Sequence, residues 1–163
     1  MVLAKKIIAK IFAFFVVAKI KRSYKNVVQI QTQILNDLIR KAKKTKFGID
    51  HKFDKINNVE EYSQRVPVRD YEGIIAYINE VKKGHKDVLW PGKPKYLAKT
   101  SGTTSGAKYI PITKESMPNH ILSSRNALLF YIRETGDTRF LKGKTIFLQG
   151  SPVLEKVNGI FLG

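Results

Sequence analysis

The chain has 163 residues, no cysteine and a hydrophobic fraction of 43%, which describes a globular domain and excludes a disulfide scaffold, a thiol nucleophile and thiolate metal sites. Thirty basic residues against 13 acidic ones give a net charge of +17, which alone indicates nucleic acid or an anionic membrane surface as partner. Residues 1–50 hold twelve of the basic and two of the acidic residues, so the charge is concentrated there. The histidines His51, His85 and His120 lack metal-ligand spacing, and we predict no protein metal site.

The first predicted element is an amphipathic helix at residues 5–19 that packs on the protein body. Lys10 and Lys19 leave only eight uncharged residues between them. A membrane-spanning helix needs about twenty apolar residues, and the lysine also interrupts the run that a secretory signal requires. We therefore predict neither a span nor a cleaved signal. Interfacial membrane contact through the phenylalanines of this segment is the alternative interpretation.

Three further helices are predicted before the first strand. Apolar side chains recur at helical spacing over 24–46, which predicts a packing helix that stops at Gly48. A short capped helix follows at 57–62 and ends before the next proline. Asp70 is placed to cap the helix at 71–83.

The pattern then changes to short β-type runs. The predicted strands are 96–99, 109–112 and 144–149. A long helix from Thr113 to about Arg133 separates the second strand from the third. This order predicts an α/β fold, with a helical segment at 1–46 and the start of an α/β core at 52–163.

The loop between the first two strands is the one sharp chemical signal. Its residues are Thr100, Ser101, Gly102, Thr103, Thr104, Ser105, Gly106, Ala107 and Lys108. The glycines permit positive φ, so that successive N–H groups converge, while the hydroxyls add donors and the lysine adds a mobile charge. A plain hairpin turn needs only about two to five residues and no lysine. The glycine spacing and the following strand differ from a Walker P-loop. We predict an oligophosphate site that resembles the phosphate loop of the adenylate-forming superfamily.

A series of motifs around this loop narrows the resemblance. In chain order they are Arg65-Val66-Pro67-Val68-Arg69-Asp70-Tyr71-Glu72, Tyr77-Ile78, Leu89-Trp90-Pro91-Gly92, the loop, Tyr109-Ile110-Pro111-Ile112-Thr113 and Gly150-Ser151-Pro152. This ordered series resembles the N-terminal part of the GH3 family of acyl-acid amido synthetases. The resemblance implies an incomplete N-terminal portion of an adenylate-forming large domain, running helix-rich N-terminus, strand, loop, strand, helix and strand.

The resemblance also implies a reaction and its site. ATP and Mg²⁺ would serve as cofactors, a small carboxylic acid and an amino acid as substrates, and an acyl-adenylate as intermediate. When the site residues of the family are transferred to the matching positions of this sequence, Thr100 to Thr104 would contact phosphate. Ser105 and Gly106 would shape the loop, and Lys108 would neutralise charge. In the family the helix after the loop borders the acyl pocket, which assigns Ser124 and Ala127 to it. No catalytic residue is assigned. A cytoplasmic location fits the absence of cysteine.

Two alternative functions stay open. An acyl- or aryl-CoA ligase of the same superfamily would use the same loop. A basic module for nucleic acid or anionic lipid would need no ATP, and nucleic acid is not expected because the aromatic residues do not interleave with basic ones on a strand platform. Since the family is much longer than this chain, we expect an N-terminal fragment that is inactive by itself.

Overall fold

A computed structural model of the chain describes residues 2–100, 106–144 and 154–163. Its helices are α1 (Val2–Ser23), α2 (Val27–Ala42), α3 (Lys46–Asp50), α4 (Val59–Arg65), α5 (Tyr71–Lys82) and α6 (Met117–Thr135). Its strands are β1 (Tyr96–Thr100), β2 (Lys108–Ile112), β3 (Glu155–Val157) and β4 (Ile160–Leu162). The chain divides into two compact units: Met1–Ile30 with Glu115–Gln149, and Gln31–Lys114 with Gly150–Gly163.

The first unit is built on the contact between α1 and α6. Ala13 and Val17 of α1 are buried against Leu129 and Ile132 of α6, and Phe140 packs on this cluster from the 3₁₀ turn that follows. Ala13 is completely buried, since its small side chain lets the two helices approach closely. The predicted packing role of the N-terminal helix is therefore confirmed.

The predicted amphipathic pattern of α1 is not observed, because the side of the helix that faces away from α6 is apolar as well. The large apolar side chains on it are 46–71% exposed: Leu3, Ile7, Ile8, Ile11, Phe12, Phe14 and Phe15. A helix that is apolar around its circumference normally has partners on every side, whereas α6 covers only one side of α1. Among the described helices, none has the length and apolarity needed to cross a membrane.

The second unit holds two buried apolar clusters. The first joins the end of α2 to the segment after α3 and comprises Ile39, Ala42, Phe53 and Ile56, with Trp90 packed against it. The second joins α5 to the sheet and comprises Val81, Val88, Leu97 and Ile160. Since Leu97 and Ile160 are at most 1% exposed, β1 and β4 supply the most buried side chains of this cluster.

Helix α2 ends at Ala42, before the predicted stop at Gly48. The Thr45 hydroxyl donates to the Ala42 carbonyl at 2.7 Å and accepts from the Gly48 N–H at 3.1 Å. This one side chain closes α2 and caps α3. Gly48 lies inside α3, where a side chain would collide with the Ala42 carbonyl. The prediction of Gly48 as a stop was wrong, because this glycine permits a close backbone approach and not a left-handed turn.

The cap predicted at Asp70 is confirmed, and the capped helix predicted at 57–62 has Asn58 as its cap. The Asn58 carboxamide oxygen accepts from the Glu61 N–H, and the Asp70 carboxylate accepts from the Gly73 N–H, each at 2.8 Å. These bonds satisfy N–H groups that a first helical turn leaves unpaired, and so they determine where α4 and α5 begin.

Helix α6 ends where predicted but begins later. Gly136 closes it with a positive φ of 69°. Its first residue is Met117 and not Thr113, because Pro118 occupies the first turn, the one place where a helix tolerates the missing N–H of proline.

The four strands form one sheet in the order β2-β1-β4-β3. β1 pairs antiparallel with β2 and parallel with β4, and β3 pairs antiparallel with β4. β1 and β2 confirm the predicted strands at 96–99 and 109–112. Residues 145–149 of the third predicted strand lie outside the described residues.

The hairpin of β3 and β4 was not predicted. Its turn contains Asn158 and Gly159, whose φ values are 51° and 83°. Two successive positive φ values are typical of a type I′ turn, and Asn-Gly is the dipeptide that favours it. This dipeptide between Val157 and Ile160 is the signal from which the hairpin could have been found.

Replacing Gly48 by alanine tests the close approach of α3 to the end of α2. We expect Gly48→Ala to lower the free energy of unfolding by roughly 1–3 kcal/mol, since the added methyl overfills a packed contact. Gly143→Ala is the matched control, because Gly143 has a φ of −94° and no atom within 4 Å of an added Cβ. Urea unfolding followed by circular dichroism measures both. Equal stability of the two variants would contradict this account.

Candidate functional site

The loop predicted to bind phosphate is carried by the β1–β2 hairpin. In the antiparallel register Thr100, the last residue of β1, lies opposite Lys108, the first residue of β2. Directly paired residues project from the same face of a sheet, so the hydroxyl and the ammonium flank the loop on one side. Residues 101–105, which carry the predicted phosphate contacts Ser101, Gly102, Thr103 and Thr104 and the loop-shaping Ser105, lie outside the described residues.

Gly106 is the described part of the loop itself. Its φ is +84°, and no atom of the described residues lies within 4 Å of the place where a side chain would begin. The positive φ explains why a glycine occupies this position, because only glycine adopts this backbone without strain. None of the described residues fills the space next to the backbone just before Lys108.

Lys108 lies above the ring of Tyr71, with its ammonium 5.4 Å from the ring centre. The Tyr71 hydroxyl in turn accepts a hydrogen bond of 2.9 Å from the N–H of Tyr109. None of the ion pairs between described residues uses Lys108. A lysine that is positioned by an aromatic ring and has no carboxylate partner among the described residues is suited to bind an anion.

Tyr71 is a site residue that sequence reasoning missed. The sequence places it directly after the helix cap Asp70 and within the family-like series, but nothing in its spacing reveals a contact with β2. As the first residue of α5, it links this helix to the beginning of the second strand. Lys82, near the other end of α5, lies 4.2 Å from the ring centre of Tyr109 and adds a second contact to β2.

A half-buried polar cluster holds α5 against α3. The Tyr77 hydroxyl donates to the Asp50 carboxylate at 2.8 Å. Burial raises the pKa of Tyr77, and the hydrogen bond and the charge of Asp50 raise it further, against a smaller opposite effect of Arg69. His51 lies within hydrogen-bond distance of the Phe47 carbonyl through Nδ1 (2.8 Å) and of Arg69 through Nε2 (3.0 Å). A proton on Nδ1 satisfies both contacts, which gives this histidine a packing role.

The sheet places the end of β1 next to the end of β4. The Lys99 N–H donates to the Gly163 carbonyl at 2.8 Å, and the Gly163 N–H donates to the Leu97 carbonyl at 3.2 Å. Because these two strands are parallel, their carboxyl ends share the edge from which the loop leaves β1. Ligands of open α/β sheets bind at such an edge.

The described residues offer no protein site for a metal ion. They contain no group of three or more His, Asp or Glu side chains placed to hold one. Two of these residue types do contact each other, since His85 lies 2.6 Å from the Glu80 carboxylate. Hydrogen bonds from Lys83 and His85 hold the pKa of Glu80 below its usual value. We therefore assign no residue to Mg²⁺.

The residues predicted to border the acyl pocket lie on the exposed side of α6. Ser124 and Ala127 are both exposed, and the Ser124 hydroxyl donates to the His120 carbonyl of its own helix at 3.3 Å. Helical spacing places them beside Leu128 and Tyr131, which are 51% and 45% exposed. The helix belongs to the first unit and the β1–β2 hairpin to the second, and the assignment of both residues stays a prediction.

Comparison with known proteins gives a consistent result. Residues 16–158 match the model of the GH3 family N-terminal domain. The chain is similar to indole-3-acetic acid-amido synthetase GH3.15 of Arabidopsis thaliana, with 33% identity over 112 residues, which are 65% of this chain and 18% of that protein.

Solved structures give the same fold. A GH3.15 acyl acid amido synthetase superposes with a TM-score of 0.76 at 23% identity, covering 89% of this chain and 26% of that one. The AtGH3.15 enzyme in complex with 2,4-DB gives 0.73 at 24% identity, covering 84% and 24%. The predicted fold class is therefore confirmed, and the chain spans only 18–26% of the length of these relatives.

Removing the Tyr71 hydroxyl tests the contact that links α5 to β2. We expect Tyr71→Phe to lower the free energy of unfolding by roughly 1 kcal/mol, because the Tyr109 N–H loses its acceptor while the ring under Lys108 is retained. Tyr24→Phe is the control, since Tyr24 is 59% exposed and should change little. Chemical denaturation of both variants decides the matter. An equal effect of the two substitutions would show that the Tyr71 hydroxyl stabilises nothing.

Proposed function

Because the chain belongs to the GH3 family, we propose that it supplies the ATP-phosphate-binding part of an acyl acid amido synthetase, a ligase that joins a small carboxylic acid to an amino acid. The observation that carries this proposal is the paired position of Thr100 and Lys108 where the loop joins the two strands. Among the described residues, none fills the space beside Gly106 and none forms an ion pair with Lys108, and both observations support an anionic ligand at this place.

The proposed reaction has two steps. A carboxylate oxygen attacks the α-phosphorus of ATP, the bond to the bridging oxygen breaks, and pyrophosphate leaves with its electron pair. The amino group then attacks the acyl carbon, AMP leaves, and the nitrogen loses a proton to solvent. The first step turns a carboxylate, which has a poor leaving group, into an acyl-adenylate with a good one. The carboxylate and ATP are both anions, so their approach requires fixed positive charge and N–H dipoles.

Residues of the loop would share this task. The backbone N–H groups and hydroxyls of the segment from Thr100 to Thr104 would bind the phosphate oxygens, and Ser105 and Gly106 would shape the loop. Lys108 would neutralise charge on the phosphates and on the leaving pyrophosphate. Tyr71 has a positioning role, since its ring holds the Lys108 ammonium at the end of the strand.

The acyl acid would bind beside α6. Ser124 and Ala127 share its exposed side with Leu128 and Tyr131, so that side offers a small polar group among apolar ones. Such a surface suits a molecule with an apolar body and a carboxylate. One solved relative has 2,4-DB bound, which supports a small carboxylic acid as the substrate class.

Magnesium would enter with the nucleotide. Mg²⁺ keeps several waters and is commonly held by substrate phosphates together with one or two protein oxygens. That mode requires no cluster of protein ligands, which agrees with the absence of one among the described residues. We place the reaction in the cytoplasm. ATP is the common energy source there, and a chain without cysteine has no disulfide that the reducing conditions would break.

Phosphate binding by Lys108 is tested by titrating the chain with MgATP and with pyrophosphate. We expect Lys108→Ala to weaken both about ten- to a hundredfold, the loss of one charge-assisted hydrogen bond. Lys95→Ala is a closely matched control: Lys95 also lies 5.4 Å from a tyrosine ring, that of Tyr96, but at the other end of the β1–β2 pair. Calorimetry measures the affinities. A loss that is equal in both variants, or absent from Lys108→Ala, would contradict the assignment.

The ligase reaction is tested in a longer polypeptide that contains this segment. Exchange of labelled pyrophosphate into ATP that depends on a carboxylic acid reports the first step. We expect Lys108→Ala to slow this exchange about ten- to a hundredfold and Lys95→Ala to leave it unchanged. Mass spectrometry of the product then separates amide from thioester. A thioester formed from coenzyme A, with no amide, would replace the amido synthetase by a CoA ligase.

A further inference from the structure

The outward side of α1 is a continuous apolar surface. Residues spaced by four and three positions share one side of a helix, and this spacing aligns Ala4, Ile8, Ile11, Phe15 and Ala18 in one row. Ile11 is 52% exposed and Phe15 is 66% exposed, on the side opposite to the buried Ala13 and Val17. We call this row and the exposed apolar residues beside it the outer face of α1. No charged residue of the helix falls within it between Leu3 and Ala18.

Positive charge lines both borders of the outer face. Helix α1 contains five lysines and one arginine and no acidic residue. Helical spacing places Lys5 at one border and Lys10 at the other. Helix α6 adds two guanidinium groups, Arg125 at 5.7 Å from the ring centre of Phe12 and Arg133 at 4.8 Å from that of Phe14.

A basic recess lies near the beginning of α1. A cavity of about 370 Å³ is lined by Lys5, Lys6, Leu141 and Lys142. The Lys142 ammonium holds the pKa of Lys6 below its usual value, chiefly by charge repulsion, because these two cations lie close together. An anion placed between them would relieve the repulsion.

We propose that α1 binds an anionic lipid bilayer by laying its outer face in the plane of the membrane surface. Because α6 covers the opposite side of α1, the surface that this helix leaves exposed has the apolar side and the basic borders of a helix that lies in the lipid interface. The apolar side chains enter the acyl region, while the long basic side chains extend back to the phosphate headgroups. Anionic lipids give the cytoplasmic leaflet a negative surface, which attracts a chain of net charge +17.

Two other occupants of the outer face are less favoured. A second copy of the chain would bring two basic helices together, and α1 has no acidic side chain to pair with the lysines of its copy. The second of these occupants is the remainder of a GH3 fold, which any member of the family would supply. The match to the family model, however, begins at residue 16, after Leu3, Ile8, Ile11 and Phe15. The apolar residues of the outer face therefore lie mostly outside the part of the chain that matches the family.

Vesicle flotation with the whole chain tests the proposal. We expect the chain to float with vesicles of phosphatidylcholine mixed with phosphatidylglycerol and to remain unbound with phosphatidylcholine alone. Raising the salt from about 0.1 to 1 M should weaken binding, because the Debye length falls from ~10 to ~3 Å. The double variant Ile11→Glu, Phe15→Glu should reduce binding more than about tenfold, since it places two charges in the outer face, which would enter the acyl region of the bilayer.

The matched control is Ile34→Glu, Leu38→Glu. These residues have the same spacing on α2 and similar exposure, 53% and 48%, so the same charge change is made away from α1. This variant should bind anionic vesicles like the original chain, and circular dichroism checks that both variants keep their helices. Absence of flotation with anionic vesicles, or equal loss in the two double variants, overturns the proposal. Loss of a dimer in light scattering by Ile11→Glu, Phe15→Glu, without vesicle binding by the original chain, would identify a second copy as the occupant.

Discussion

Strand β1 forms backbone hydrogen bonds along both of its edges, and these two pairings determine the position of the loop that is predicted to bind phosphate. On one edge it pairs antiparallel with β2, and on the other it pairs parallel with β4. Leu97 in its middle is 1% exposed and packs with Ile160 of β4. A strand held in this way cannot shift by one residue without turning Leu97 out of the core. The register fixes Thr100 opposite Lys108 and thereby the distance that the loop has to bridge.

Helix α5 fixes the position of the Lys108 side chain relative to the sheet. One end of the helix is capped by Asp70, and its middle is held to Asp50 through Tyr77. Its first residue, Tyr71, then reaches β2 both by its hydroxyl and by its ring. A flexible lysine side chain loses considerable entropy when it is positioned, and an aromatic ring beneath it reduces the number of arrangements it samples before a ligand binds. The polar cluster around Tyr77 thereby helps to fix the position of Tyr71 and of the Lys108 ammonium above its ring.

We propose a different role for positive charge in each of the two units. At the loop Lys108 lies close to Gly106, beside which no described residue lies within 4 Å, an arrangement suited to a small, highly charged ligand. On α1 the basic residues are spread along the borders of an apolar surface, an arrangement suited to a broad anionic surface. The net charge of +17 cannot distinguish these two roles, because it adds the basic residues of both units together. The roles differ only in the residues that surround each basic side chain.

Local signals in the sequence determined a large part of this protein. The caps Asn58 and Asp70, the stop at Gly136 and the strands of the first hairpin each follow from the chemistry of a few adjacent residues, and the motif series identified the family. The Asn158-Gly159 turn was equally local and was overlooked.

The tertiary structure decided what depends on residues far apart in the chain. Gly48 resembles a helix stop until Thr45 and the Ala42 carbonyl are seen around it, and Tyr71 resembles an ordinary first helical residue until β2 packs against it. The outer face of α1 became visible only because α6 covers the opposite side and leaves Ile11 and Phe15 exposed. Periodicity reports which residues share a side of a helix. Which side finds a partner is settled by packing free energy summed over the folded chain, and no short segment of sequence contains that information.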